Sequence, residues 1–217
     1  MSLVGLPAIP SSAARLLPLI LATQGHPVAN HASDNDADRR IGQRWERAFC
    51  QLAAGFDKVF SPHQIPHPEG AAVAYGRGDD GQWENYLLPD VTIWSAPGEH
   101  HEIKHKRPSW DGCYGLERYR LDALVRWANT TGQLVCYTIH DWKAAGADAA
   151  DTLMPNDLSH WFYADVIALT RGCTWVQENG TSWVNGKRRN DVLIWYWTAH
   201  RYFKPLSELW VSPQKTT

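Results

Sequence analysis

The sequence has no long apolar run, no surplus of positive charge and few cysteines, and each shortage excludes a class of protein. Its 217 residues carry 21 Lys and Arg against 23 Asp and Glu. A chain coated everywhere in positive charge, of the histone or ribosomal type, is thereby excluded. Nucleic acid stays open as a partner, because a basic groove needs only a local excess. The longest apolar stretch near the N-terminus, Leu16 to Thr23, is broken by Pro18 and falls far short of the ~20 residues that span a bilayer. Only Arg15 precedes it and no small-residue cleavage site follows, so it does not read as a secretory signal. Cys50, Cys113, Cys136 and Cys173 are widely spaced with no Cys-x-x-Cys, which suggests neither a disulfide framework nor a cysteine zinc site. A soluble cytoplasmic chain with reduced thiols is expected, with no membrane partner. No internal repeat or low-complexity tract is visible.

What is present is enough for an ordinary core: 44% of residues are hydrophobic and 20% charged. Tryptophan is abundant, at 12 residues, and the last third holds Trp161, Trp175, Trp183, Trp195, Trp197 and Trp210. Tryptophan buries a large area and keeps one donor, so packing is the main expectation and a base-stacking platform the sharper alternative.

Residues 11–23 read as a short helix behind a serine cap, and residues 24–37 as a polar linker. From Asp38 to Phe56, the spacing of Ile41, Trp45, Ala48, Phe49 and Leu52 predicts an amphipathic helix closed by Gly55. The period then switches to alternation. Ala71–Tyr75, Trp83–Leu88, Val91–Trp94 and Glu99–Lys106 are predicted strands. Gly115–Asn129 is predicted as a helix and Gln133–Ile139 as a buried strand. Asp157–Leu169 is read as a helix passing into a strand, and two β stretches follow, Thr174–Val184 and Asp191–His200, on either side of the turn Asn185-Gly186. The expected architecture is α/β, a central mixed β-sheet flanked by helices. Its divisions are an N-terminal helical arm and linker over 1–37, a core over 38–145, and a Trp-rich C-terminal β extension over 146–217 packed on that core.

Pro89-Asp90 opens one short apolar strand, and the next carries Glu102-Ile103-Lys104. Alternation puts Glu102 and Lys104 on one face and Ile103 on the other. If the two strands are neighbours, Asp90 and Glu102 converge. Two carboxylates suit a Mg²⁺ ion that keeps several waters, and a lysine beside them can orient or deprotonate an attacking water or neutralise charge on a phosphoryl transition state. Phosphodiester hydrolysis is the reaction these parts fit.

These residues resemble the PD-(D/E)xK nuclease superfamily, the restriction-endonuclease-like fold. The match extends to Gly42-Gln43-Arg44-Trp45-Glu46-Arg47-Ala48-Phe49, which is similar to the G-x-x-x-E-x-x-F helix ahead of the sheet in many members. The resemblance covers about residues 38–140 and implies an αβββαβ core and a metal-dependent nuclease acting on DNA, endonuclease before exonuclease. It implies that Asp90 and Glu102 hold Mg²⁺, for which Mn²⁺ can substitute, with Glu46 supporting the metal and Lys104 acting on the water. The helix with Glu117, Arg118, Tyr119 and Arg120 takes the place of the family's substrate-side helix. Several members read Q-x-x-x-Y there and this chain does not, which leaves open which of these residues touch the substrate.

Each residue also has a plainer reading. Asp90 can cap a turn, Glu102 and Lys104 can form an exposed strand face, and Glu46 can be a solvated helix residue. The histidines His63, His67, His100, His101 and His105 raise the alternative of zinc. Pro66 prevents His63 and His67 from forming an i, i+4 helical pair, and His101 and His105 fall on the face opposite Glu102. Basic residues gather at Lys104, Lys106, Arg107, Arg118 and Arg120, and again at Lys187, Arg188, Arg189, Arg201 and Lys204. Lys106, Arg118, Tyr119, Arg120, Lys187, Arg188 and Arg189 are therefore the candidate nucleic-acid contacts, with a solvated charged turn as the plainer reading of the last three. A non-catalytic binding module of the same fold is one alternative. An assembly role is another, with the Leu16–Leu21 helix docking a partner or a second copy, so a homodimer is among the assemblies the sequence allows.

Overall fold

The order of the elements is helix, strands, helix, strands. A computed structural model describes residues 35–63, 73–77, 83–141, 157–184 and 187–210. The arm expected over 11–23, most of the 24–37 linker, His67 and the Asn185-Gly186 turn lie outside the described residues. Helix α1 (Asn35–Gly55) begins ahead of its predicted start, so the linker gives way to helix by Asn35. Along it Trp45, Phe49, Leu52 and Ala53 recur every three or four residues and are buried, while Arg44, Arg47 and Gln51 face solvent. Strands β1 (Phe60–Pro62), β2 (Val73–Arg77), β3 (Trp83–Leu87), β4 (Val91–Ile93), β5 (Glu99–Lys106) and β6 (Cys113–Glu117) follow. Helix α2 (Arg118–Thr131) then leads to β7 (Leu134–Asp141). Beyond these lie β8 (Trp161–Asp165), the short α3 (Val166–Leu169), β9 (Trp175–Val184), β10 (Lys187–Thr198), α4 (Ala199–Tyr202) and β11 (Lys204–Pro205).

The central sheet has the order β1-β4-β5-β7-β8-β11. Its pairs are antiparallel except β5–β7, which is parallel and reached through β6 and α2, so the sheet is mixed. Reading α1, β1, β4, β5, α2, β7 gives the expected αβββαβ order, with the β2–β3 hairpin as a separate two-stranded insert. One face of the sheet packs on α1 through Trp45, Phe49, Ile103, Trp161 and Trp210. The other packs on α2 through Leu121, Leu124, Val135, Tyr137 and Ile139, joined by Tyr114, Leu116 and Trp197 of the second sheet, β6-β10-β9. The C-cap of α2 is Gly132 in the left-handed region at φ 66°, and its N–H closes on Ala128 O.

Three expectations are corrected. The predicted Gly115–Asn129 helix is strand up to Glu117. There Tyr114 and Leu116 alternate inward, and β10 supplies the ladder with Tyr196 opposite Gly115. The Asp157–Leu169 stretch runs strand then helix, the reverse of the predicted order, and Asp165 turns the chain by accepting Ile167 N–H at 2.9 Å. Finally, the segment read as an extension beyond residue 145 contributes β8 and β11 to the central sheet itself.

Candidate functional site

The site forms where two strands part. Strands β4 and β5 pair antiparallel with Val91 opposite His101, and continuing that register by one residue sets Asp90 opposite Glu102. The ladder stops there. Asp90 Oδ2 instead accepts the Ile103 N–H at 2.7 Å, satisfying a donor that has lost its strand partner. On its other side β5 stays paired with β7 from Glu99 to Lys106. One edge of β5 is thus held firm while the other opens at Glu102. Alternation then sorts the side chains. Ile103 enters the core under α1, whereas Glu102 meets α2 on the opposite face.

Four charged groups meet at this opening. Lys104 Nζ donates to Glu102 Oε1 at 2.6 Å and lies 3.8 Å from Asp90 Oδ2. Arg120 Nη2 donates to Glu102 Oε2 and to Leu88 O, the latter at 2.8 Å. Glu102 is only 2% exposed, which leaves its charge dependent on these partners. Burial pushes the Asp90 carboxyl above the usual carboxylate range, and the negative charge of Glu102 adds to it against the pull of Lys104. For Glu102 burial acts the same way, but Arg120 and then Lys104 overcome it and hold the group below that range. Burial lowers Lys104, yet Glu102 and Asp90 more than compensate, so its ammonium is firmly cationic. Glu46 stands half-buried on α1, near enough to raise Asp90 as a like charge.

The structure brings Asp90, Glu102 and Lys104 together and sets Glu46 at their side. The expected nucleic-acid contacts are spread more widely. Arg120 turns inward onto Glu102, a correction to its reading as a substrate contact: α2 buries Arg120 together with Leu121, Leu124 and Ala128. Lys106 also points into the protein and donates to Gly115 O at 2.5 Å. Arg118 pairs with Asp122 at 2.7 Å and lies over the Trp195 ring at 4.2 Å. Tyr119 is 41% exposed. Arg188 is exposed, Arg189 pairs with Asp191 at 2.6 Å, and the side chain of Lys187 lies outside the described residues.

The histidines do other work. Thr92 Oγ1 links His63 Nε2 at 2.6 Å to His100 Nδ1 at 2.7 Å, and His100 Nε2 reaches Gln133 Oε1 at 2.7 Å. With Gln133 Oε1 as acceptor, His100 donates from Nε2 and accepts from Thr92, so the chain runs in one direction. This network, invisible in the sequence, braces β4 against β5 beside Asp90. On the α1 face, His101 Nδ1 meets Thr138 Oγ1 at 2.8 Å, and His105 and His140 stack on Trp45 at 4.0 and 3.9 Å. Burial drives His105 down to about 4 and His140 to about 3, so both are neutral at physiological pH. Among the described residues no three His, Cys, Asp or Glu side chains are grouped to hold a metal ion. None of the described helices is long and apolar enough to cross a membrane.

No protein-family model matches this chain, and neither does any curated protein sequence. Among solved structures it is similar to Hjc, a Holliday junction resolvase from the archaeal hyperthermophile Archaeoglobus fulgidus. The identity is 12%, the match covers 78% of this chain and 94% of that one, and the TM-score is 0.38.

Proposed function

We propose that the chain is a Mg²⁺-dependent nuclease that hydrolyses phosphodiester bonds in DNA, with Asp90, Glu102 and Lys104 as its catalytic residues. The observation that carries this reading is the meeting of a buried carboxylate, Glu102, a half-buried one, Asp90, and an ammonium where β4 leaves β5. The donor chemistry fits the ion. Magnesium keeps much of its water and binds through one or two carboxylates plus substrate phosphate, so a pair of acids suffices and a three-ligand cage is not required. Asp90 and Glu102 would hold it, with Glu46 alongside. When bound, the ion lowers the pKa of water and polarises the phosphate.

The protein's own groups supply the rest. Lys104, kept cationic by Glu102 and Asp90, acts as a donor: it orients the oxygen of the attacking water and offsets charge building on the phosphoryl oxygens. Asp90, raised toward neutrality, gains its full negative charge only as pH rises, so cation binding and cleavage should both strengthen from about pH 6 to about pH 8. Of the candidate contacts, Tyr119, Arg188 and Arg189 are exposed and would be open to a nucleic-acid strand.

The test uses circular single-stranded and supercoiled double-stranded DNA with Mg²⁺, Mn²⁺ or EDTA. Metal-dependent nicking is expected, and Lys104→Ala should lower it by at least about 10²-fold with the fold intact. Cutting by Lys104→Ala at the wild-type rate would remove the assignment. Binding of DNA with no cutting under any of these conditions would favour the non-catalytic module instead.

A further inference from the structure

Arg120 is placed where a charge is costly. It lies on the buried stripe of α2 with Leu121, Leu124 and Ala128 and is 7% exposed. One nitrogen, Nη2, makes the contacts with both Glu102 Oε2 and Leu88 O, while Nη1 is buried and finds no hydrogen-bond partner among the described residues. Arginine commonly grips a carboxylate with two nitrogens at once. Here the grip is single-pointed, held by charge more than by a closed network. Lys104 occupies Glu102 Oε1, so cations take both oxygens of this carboxylate. With Asp90 and Glu102 ionised, their two negative charges face two positive ones, which weakens the attraction that this pair of acids, with Glu46 beside it, offers an arriving cation.

We propose that Arg120 is a resident counter-ion and positioning residue: it fixes Glu102 in the free protein and weakens the site's hold on a divalent cation. Glu102 Oε2 is released to the cation only as the guanidinium gives way. This inference rests on the nuclease reading, and its test separates the two.

The test is Mn²⁺ binding to the full chain without DNA, followed by electron paramagnetic resonance and calorimetry. Arg120→Gln removes the charge and should tighten Mn²⁺ binding by about tenfold, whereas Arg120→Lys keeps the charge and should stay near wild type. Arg120→Met suits the apolar stripe and serves for Arg120→Gln if that variant does not fold. Unchanged or weaker binding in a folded, neutral variant overturns the counter-ion role, as does equal tightening in Arg120→Lys. If DNA cleavage persists in that case, the nuclease reading stands. If neither wild type nor any variant binds Mn²⁺ and none cuts DNA, both fall.

Discussion

Asp90 shows what the site costs the fold. Its carboxyl sits above the usual range because burial and Glu102 disfavour its charge, so the folded state holds that proton more tightly than the unfolded chain does. Its favourable contribution is therefore present at low pH and is lost as pH rises through the folded value. Removing the charge should help most where it is fully developed. Asp90→Asn is expected to stabilise the protein by about 1–2 kcal/mol at about pH 8 and by less at about pH 5, read from urea melts at both. Equal effects at the two pH values would contradict the electrostatic account. Glu102 has the opposite sign: Arg120 and Lys104 hold it low, so its contribution is present above the ordinary carboxylate pKa and lost on acidification. Asp90, Glu102 and Lys104 were legible in the sequence because strand alternation and a short connection bring them together locally. The role of Arg120 was not, since its partner is 18 residues away. Its one trace was a charge on the apolar stripe of a helix.

Among the elements, β6 was the hardest to read. Leu116, Tyr119 and Leu121 follow Gly115 at spacings that fit a helix, and the strand's partner, β10, lies some 80 residues further along. No local signal marks such a pairing. Gly115 fits because Tyr196 lies over it: an added Cβ would come within 2.6 Å of the Tyr196 ring, which is itself stacked on Trp175 at 3.8 Å. The Gly115 carbonyl also receives Lys106 Nζ and Tyr137 OH, tying this sheet to the strand that bears the site. Gly115→Ala should therefore cost about 1–3 kcal/mol in thermal or urea denaturation and lower DNA cleavage with it. A neutral effect would mean that Tyr196 can move aside freely. The strand β8 was misread for a related reason. It is buried at Trp161 and Ala164, a spacing of three, which imitates a helix.

At the scale of the whole molecule, the α/β class and the central sheet were visible in the alternation of periods, but the weaving of the C-terminal segment into that sheet was not. That weaving depends on contacts between the two ends of the described chain. Trp210, near its C-terminal limit, is buried against Phe49 and Phe56 of the α1 segment and donates to Glu99 Oε1 of β5 at 2.6 Å. Trp210→Ala is expected to cost about 3–5 kcal/mol in urea denaturation, from the lost volume and the lost donor to a buried carboxylate. Trp45, Trp161 and Trp197 are likewise buried, as packing requires, whereas Trp94 and Trp110 are exposed among the described residues. Within this scaffold β5 is paired with β7 along one edge and leaves β4 beyond His101 on the other. The most direct test of what that opening does is the conversion of supercoiled plasmid to nicked circle by wild type and by Asp90→Asn, in Mg²⁺ and in EDTA. The account predicts nicking by wild type in Mg²⁺ alone, and none by a variant that is folded and at least as stable. Nicking by Asp90→Asn at the wild-type rate, or nicking that persists in EDTA, would contradict it.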